Sequence, residues 1–246
     1  MSNWTAEQLE DVACGLCGSR RWSREYQRGD AMRVVECAHC GLAYLNPRPK
    51  ESLLPLLYDS DYFTGAAADT RGGGLRLNTA LDAKAVDEGP DPRVLTVLSD
   101  VFGGVRNREV LEIGCATGDL LARIERKGGK ASGIDVSEFA VGVARSRGLK
   151  AVAATIEEYA ANHTACADAV VGLEVIEHVP SPSRFLRNVA TVVRAGGLLA
   201  LSTPNYTCAK RFGRDWLGFR TSFEHLYFFS LDSLVRLAAA NGFELS

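Results

Sequence analysis

Val110-Leu111-Glu112-Ile113-Gly114-Cys115-Ala116-Thr117-Gly118-Asp119-Leu120-Leu121 is the stretch whose reading decides the fold. An apolar run reaches a glycine-bracketed turn, and an amphipathic segment follows, so the order is strand, turn, helix. Gly114 and Gly118 allow backbone conformations closed to other residues and let the chain pass close to a ligand. A helix starting near Gly118 presents unpaired amides to whatever lies over the turn. The third glycine of a dinucleotide fingerprint is missing, and Glu112 at the strand end is a poor neighbour for a pyrophosphate. That carboxylate suits a cation instead, such as an ammonium or a sulfonium.

Outward from this turn the text alternates strand and helix, the signature of a parallel sheet. Strands are expected at 109–114, 130–135, 150–155, 168–174 and 197–203. Helices are expected over Gly118 to Arg126, Ser137 to Arg147, Ser181 to Arg194 and Leu231 to Asn241, with Ser137 and Ser181 as N-caps. The expected fold class is α/β, a Rossmann-like sheet with helices on both faces. The chain stops at GFELS, where a further strand is expected, so the C-terminus reads as truncated. Asp135 closes the second strand 17 residues after Gly118, where an acid can accept both hydroxyls of a ribose. Together the two acids suit the two halves of one cationic nucleoside.

Before this domain, Cys14-Gly-Leu-Cys17 and Cys37-Ala-His-Cys40 repeat one device across 19 intervening residues. Each CxxC turn offers two thiolates to one ion, and four thiolates close a tetrahedron around zinc with no open position for catalysis. Cys14, Cys17, Cys37 and Cys40 are therefore expected to hold a structural zinc, with His39 exposed outside the set. Residues 10–48 read as a zinc ribbon, 49–105 as a connector with helical segments and the glycine run at 72–74, and 106–246 as the α/β domain. Cys115, Cys166 and Cys208 lack a basic partner in the sequence and read as structural.

Composition bounds the partners. Of 246 residues, 46% are hydrophobic and 24% charged, with a formal net charge of -2, so no overall positive field exists to hold nucleic acid or an anionic membrane. No apolar run approaches the roughly 18 residues needed to cross a bilayer. A cytoplasmic protein acting on a small molecule is expected, with oligomeric state open.

LEIGCATG, GIDVS, LEVIEHV and LLALSTPN, in this order, resemble class I S-adenosylmethionine-dependent methyltransferases. The likeness spans about 108 to 246. Ala116 stands where the family's motif usually has glycine, a mild departure because alanine is also compact. The resemblance implies that Glu112 and the loop Gly114, Cys115, Ala116 and Gly118 hold the methionine part of the cofactor. It further implies that Asp135 holds the ribose and that Val136, Thr155, Ile156 and Leu173 border the rest. The CxxC pairs running into CGLAYLNPRP and LYDSDYF are similar to zinc-ribbon methyltransferases, including nucleotide-sugar C-methyltransferases. That implies a sugar or natural-product acceptor.

Two histidines follow the ends of expected strands four and five, where open α/β sheets gather ligands. His225 beside Glu224 is the first candidate for general base, and His178 the second, orienting the acceptor. Tyr58 and Tyr62 are candidates to close over the cofactor, and Trp216 and Phe219 to form part of a lid. Two alternatives remain. Glu174, Glu177, His178 and His225 resemble the metal set of small-RNA 3'-terminal ribose methyltransferases, which implies magnesium or manganese. A non-catalytic protein that binds a partner through its ribbon, with a degenerate methyltransferase domain, is the other.

Overall fold

A computed structural model describes residues 4–28, 30, 32–57, 91–220 and 224–246. Tyr58, Tyr62 and the glycine run at 72–74 lie outside the described residues, as does most of the expected connector. The strands are β1 (Leu9–Glu10), β2 (Trp22–Gln27), β3 (Arg33–Cys37), β4 (Ala43–Leu45), β5 (Arg48–Pro49), β6 (Glu109–Ile113), β7 (Lys130–Asp135), β8 (Ala151–Ala153), β9 (Ala167–Leu173), β10 (Val193–Ser202) and β11 (Tyr227–Phe228). The chain divides into two compact units. One gathers 1–76, 176–186 and 203–246, and the other 77–175 and 187–202.

The second unit holds a five-stranded parallel sheet of order β10-β9-β6-β7-β8. Strand order reverses on either side of β6, so the turn after β6 sits at the topological switch point where such sheets bind ligands. Val110, Leu111 and Ile113 are buried, as a central parallel strand covered on both faces requires. Leu98, Leu121, Ile124, Val141 and Ala144 pack with Val110 in one cluster. Each fully buried aliphatic side chain there contributes about 1.5–3 kcal/mol by leaving water. Helices Asp119–Arg126 and Glu138–Ser146 follow β6 and β7. The Ser137 hydroxyl accepts the amide of Ala140, the cap expected of it. A short helix, Ile156–Ala160, begins on Thr155, whose side chain and Glu158 form a capping box. β10 starts at Val193, four residues earlier than the apolar run at 197–203 indicates, with an irregular register between Val193 and Leu198.

The first unit holds an antiparallel sheet of order β11-β4-β3-β2 beside the β1–β5 pair. β11 pairs with β4 through Tyr227 opposite Tyr44 and Phe228 opposite Ala43. A segment near the C-terminus thus completes the sheet that the cysteine-bearing hairpins begin. Trp216 and Phe219 are buried, with ring centroids 5.0 Å apart, and Phe219 also lies 5.1 Å from Phe228. They are core aromatics, which corrects the expectation of a lid: the flat apolar rings gain more from mutual edge-to-face packing than from solvent exposure. Among the described residues no helix is long and apolar enough to cross a membrane.

Candidate functional site

The turn after β6 is built from left-handed backbone. Gly114, Ala116 and Gly118 have φ of 74°, 43° and 86°. Alanine pays for its position with strain of about 1–2 kcal/mol. A Cβ on Gly114 would stand 2.5 Å from the Val175 side chain, and one on Gly118 would stand 2.5 Å from Leu149. Asp135 Oδ2 accepts the Ala116 amide at 2.9 Å, and Oδ1 accepts the Ser137 amide at 2.9 Å. Each oxygen keeps a second lone pair for a ligand hydroxyl. Arg147 Nη1 donates to the Thr117 carbonyl and to Asp119 Oδ1, both at 2.6 Å, and clamps the far side of the turn.

Glu112 is buried, and its Oε2 has no hydrogen-bond partner among the described residues. Burial first, then the charges of Asp119 and Asp135, push its carboxyl up to about 8. A bound cation would offset the cost of ionising a carboxyl so placed. Burial also raises Asp135, against the pull of its backbone amides, and raises the Cys115 thiol, which is thereby inert as a nucleophile. Leu173 ends β9, Val136 follows β7, and Thr155 and Ile156 follow β8. All therefore lie at the carboxyl edge of the sheet, where Val136 is exposed and Ile156 buried.

The four cysteines gather in the first unit. Sγ of Cys14 is 3.4 Å from that of Cys40, Sγ of Cys17 is 3.5 Å from that of Cys37, and all four lie within 4.8 Å of one another. A tetrahedron with Zn–S bonds of about 2.3 Å has edges of about 3.8 Å, so the donor set fits one zinc ion. Gly18 and Gly41, at φ of 72° and 73°, turn each knuckle so that their amides reach the Cys14 and Cys37 carbonyls. His39 is exposed. The Cys40 carbonyl accepts Arg236 of the helix Leu231–Ala240.

The first unit also brings Glu177, His178 and His225 together, with a ligand atom of each within 4.8 Å of the others. Glu177 Oε1 stands 3.9 Å from His225 Nε2 and 4.0 Å from His178 Nε2, and the two imidazoles meet edge-on at 4.7 Å. Glu177 is fully buried and His225 nearly so, and His225 Nδ1 has no hydrogen-bond partner among the described residues. Burial, reinforced by His178 and Arg28, pushes the His225 imidazole down to about 2 and keeps it neutral. Burial raises the neighbouring Glu224 carboxyl, with Arg28 opposing. Glu174, named with this set from sequence, belongs to the other unit, where it accepts the Ser202 hydroxyl at 2.8 Å. Sequence reasoning did not find Arg147, Arg28 or the placement of Glu177 beside both rings.

The fold and the turn define a class, and comparison with known proteins fixes it. Residues 86–246 match a family described as a methyltransferase domain, and the chain belongs to that family. Its sheet is that of solved S-adenosylmethionine-dependent methyltransferases. One is magnesium protoporphyrin IX methyltransferase of Synechocystis PCC 6803 with bound cofactor, at TM-score 0.52 and 17% identity, covering 80% of this chain and 87% of that one. Another, from Archaeoglobus fulgidus, has TM-score 0.51 and 18% identity, covering 68% and 75%. The ubiquinone biosynthesis O-methyltransferase of Aeromonas salmonicida (strain A449) is 36% identical over 121 residues, 47% of this chain and 51% of that protein. That of Escherichia coli O9:H4 (strain HS) is 32% identical over 142 residues, 55% and 57%. The chain thus spans about half the length of these curated relatives.

Proposed function

We propose that this protein transfers a methyl group from S-adenosylmethionine to a small-molecule acceptor, a sugar or natural-product intermediate, in the cytoplasm. The observation that carries the reading is the buried Glu112 Oε2, without a hydrogen-bond partner among the described residues, with Asp119 and Asp135 as its acidic neighbours. Such a site favours a positively charged ligand over a phosphate. Glu112 with Gly114, Cys115, Ala116 and Gly118 receives the methionine part, and Asp135 receives the ribose. Val136, Thr155 and Ile156 border the adenine, and Leu173 is a further cofactor-binding residue. The cofactor supplies an activated methyl on a sulfonium, and the protein positions the acceptor and takes its proton.

That proton goes to His225, whose neutral ring can accept it. The Glu177 carboxyl group, 3.9 Å from His225 Nε2, would steady the imidazolium that forms, and His178 orients the acceptor. Glu224 contributes to the environment of the same segment. Cys14, Cys17, Cys37 and Cys40 hold a structural zinc. Calorimetry with S-adenosylmethionine tests the core of this reading: micromolar binding abolished by Asp135→Ala supports it, and no binding by the unaltered chain ends it.

A second reading is favoured by one observation, the convergence of Glu177, His178 and His225. Two imidazoles and a carboxylate are a donor set for a divalent cation, which would activate an acceptor hydroxyl by coordination. Strict dependence of turnover on added metal distinguishes it, once loss of the ribbon zinc is controlled.

A further inference from the structure

Arg28 follows β2 and Asp30 sits in the turn to β3, whose backbone is closed by the Arg28 amide donating to the Met32 carbonyl at 2.8 Å. Arg28 Nε and Nη2 donate to the two carboxylate oxygens of Asp30 at 2.9 and 2.6 Å, and these side chains are 1% and 0% exposed. Such a pair is an expensive way to close a hairpin, because desolvating both charges offsets most of their attraction and apolar residues of similar size would serve as well. What apolar residues would not provide is a further N–H donor. Arg28 Nη1 donates to the His225 carbonyl at 3.0 Å. Asp30 also accepts the Met32 amide at 3.1 Å, so the carboxylate that orients the guanidinium is itself fixed.

The next residues of that segment are held from other directions. The amides of Leu226 and Tyr227 both donate to the Glu177 carbonyl, at 2.9 and 3.0 Å, and the Leu45 amide of β4 donates to the Leu226 carbonyl at 2.8 Å. Arg48 Nη1 reaches the Tyr227 hydroxyl at 3.3 Å and the Pro180 carbonyl at 2.7 Å. Arg28 therefore holds the main-chain carbonyl of His225 itself. That bond restrains the backbone from which the His225 side chain projects, while its Nε2 stands 3.9 Å from Glu177 Oε1.

We propose that Arg28, oriented by Asp30, is a positioning residue that fixes the His225 imidazole against Glu177 and His178, so that the cysteine-bearing ribbon is part of the catalytic apparatus. This rests on the reading of His225 as proton acceptor, and its test is independent of that reading. The chain has four histidines, so its imidazole nitrogen–proton spectrum is simple, and His225→Gln assigns the signal of interest. Two variants separate positioning from charge balance. Arg28→Lys keeps a positive charge for Asp30 but lacks the planar fork needed to serve both partners. Arg28→Met combined with Asp30→Leu removes both buried charges and leaves none unpaired.

The expected result in both variants is that the His225 signal shifts or broadens while those of His39 and His163 stay in place. S-adenosylmethionine affinity in calorimetry should stay within about twofold of the unaltered chain, because its residues lie in the other unit. An unmoved His225 signal in both variants overturns the proposal. So does simultaneous collapse of all histidine signals in both, which would make the pair a requirement for folding instead. Failure of the unaltered chain to bind S-adenosylmethionine would sink the methyltransferase reading and leave the spectroscopic comparison intact.

Discussion

Asp135 Oδ2 accepts the backbone amide of Ala116 at 2.9 Å, so the end of β7 fixes the most strained residue of the turn after β6. The same carboxylate is the proposed ribose acceptor, and its removal should act twice. Asp135→Ala takes away two hydrogen bonds to a charged acceptor on the ligand side and the anchor of the turn, each bond contributing about 1.5–3 kcal/mol. S-adenosylmethionine affinity should fall by roughly 100-fold or more, read by calorimetry. An unchanged dissociation constant would show that the ribose lies elsewhere.

Positions 116 and 118 make opposite demands. Ala116 already adopts φ of 43°, so Ala116→Gly relieves left-handed strain while adding chain entropy to the unfolded state, and the melting temperature should change little. Gly118→Ala adds the same strain and drives a methyl group to 2.5 Å from Leu149, in a packed region. Overpacking of this kind costs about 1–3 kcal/mol, or several degrees in thermal denaturation. Equal melting temperatures for the two variants would contradict the geometry.

Glu112 predicts a pH dependence with a definite sign. Its carboxyl is raised from 4.5 to about 8, so the folded chain holds this proton more tightly than the unfolded chain. Its contribution to stability is complete below about 4.5 and is lost as pH climbs through about 8. A bound sulfonium or ammonium favours the ionised carboxylate, so binding should release a proton. Affinity for S-adenosylmethionine should therefore rise with pH, by up to about tenfold per unit, until near 8. Glu112→Gln should flatten that profile and abolish the buffer-dependent heat of proton release. A wild-type profile that falls across this range would sink the assignment.

What was legible in the sequence was whatever depends on local chemistry. The strand at 109–113 announces itself because a central parallel strand must be apolar on both faces, and Gly114 and Gly118 because their φ values exclude most side chains. Ser137 was readable as a cap because its hydroxyl satisfies an amide three residues away. The four cysteines were readable because each knuckle is a four-residue device. The contacts that organise the first unit are of another kind. Arg28 meets the carbonyl of a residue 197 positions away, and β11 joins β4 across a similar distance. Nothing in the short FEHLYFF run marks it as the edge strand of a ribbon, since two residues carry no usable periodicity. Glu177 was visible in the EHV segment, but its carboxylate beside two imidazoles follows from the fold and not from spacing.

The cysteine cluster predicts one tightly held zinc per chain by elemental analysis, lost in Cys37→Ser. Because β3 and β4 flank the second knuckle and β11 pairs with β4, removal of the ion should loosen more than the ribbon. Stripping zinc with a strong chelator should broaden the His225 imidazole signal, while binding of S-adenosylmethionine persists. A sharp His225 signal in protein shown to be free of zinc would mean that the sheet holds without the ion.

The proton-relay and divalent-cation readings of Glu177, His178 and His225 part company in direct metal binding. If His225 takes the proton, its variants should leave cofactor affinity near that of the unaltered chain, and His225→Gln should lower turnover by about 10²–10⁴, the usual contribution of a general base. Manganese, followed by paramagnetic resonance, should then bind no tighter than the millimolar range. A cation held by two imidazoles and a buried carboxylate would instead bind in the micromolar range and disappear in Glu177→Gln. It would also make turnover fall in the presence of a chelator too weak to strip zinc from a four-cysteine site. Glu177 stands 3.9 and 4.0 Å from the two Nε2 atoms and serves both readings. Glu177→Gln should therefore slow methyl transfer in either case, and only the manganese signal tells why.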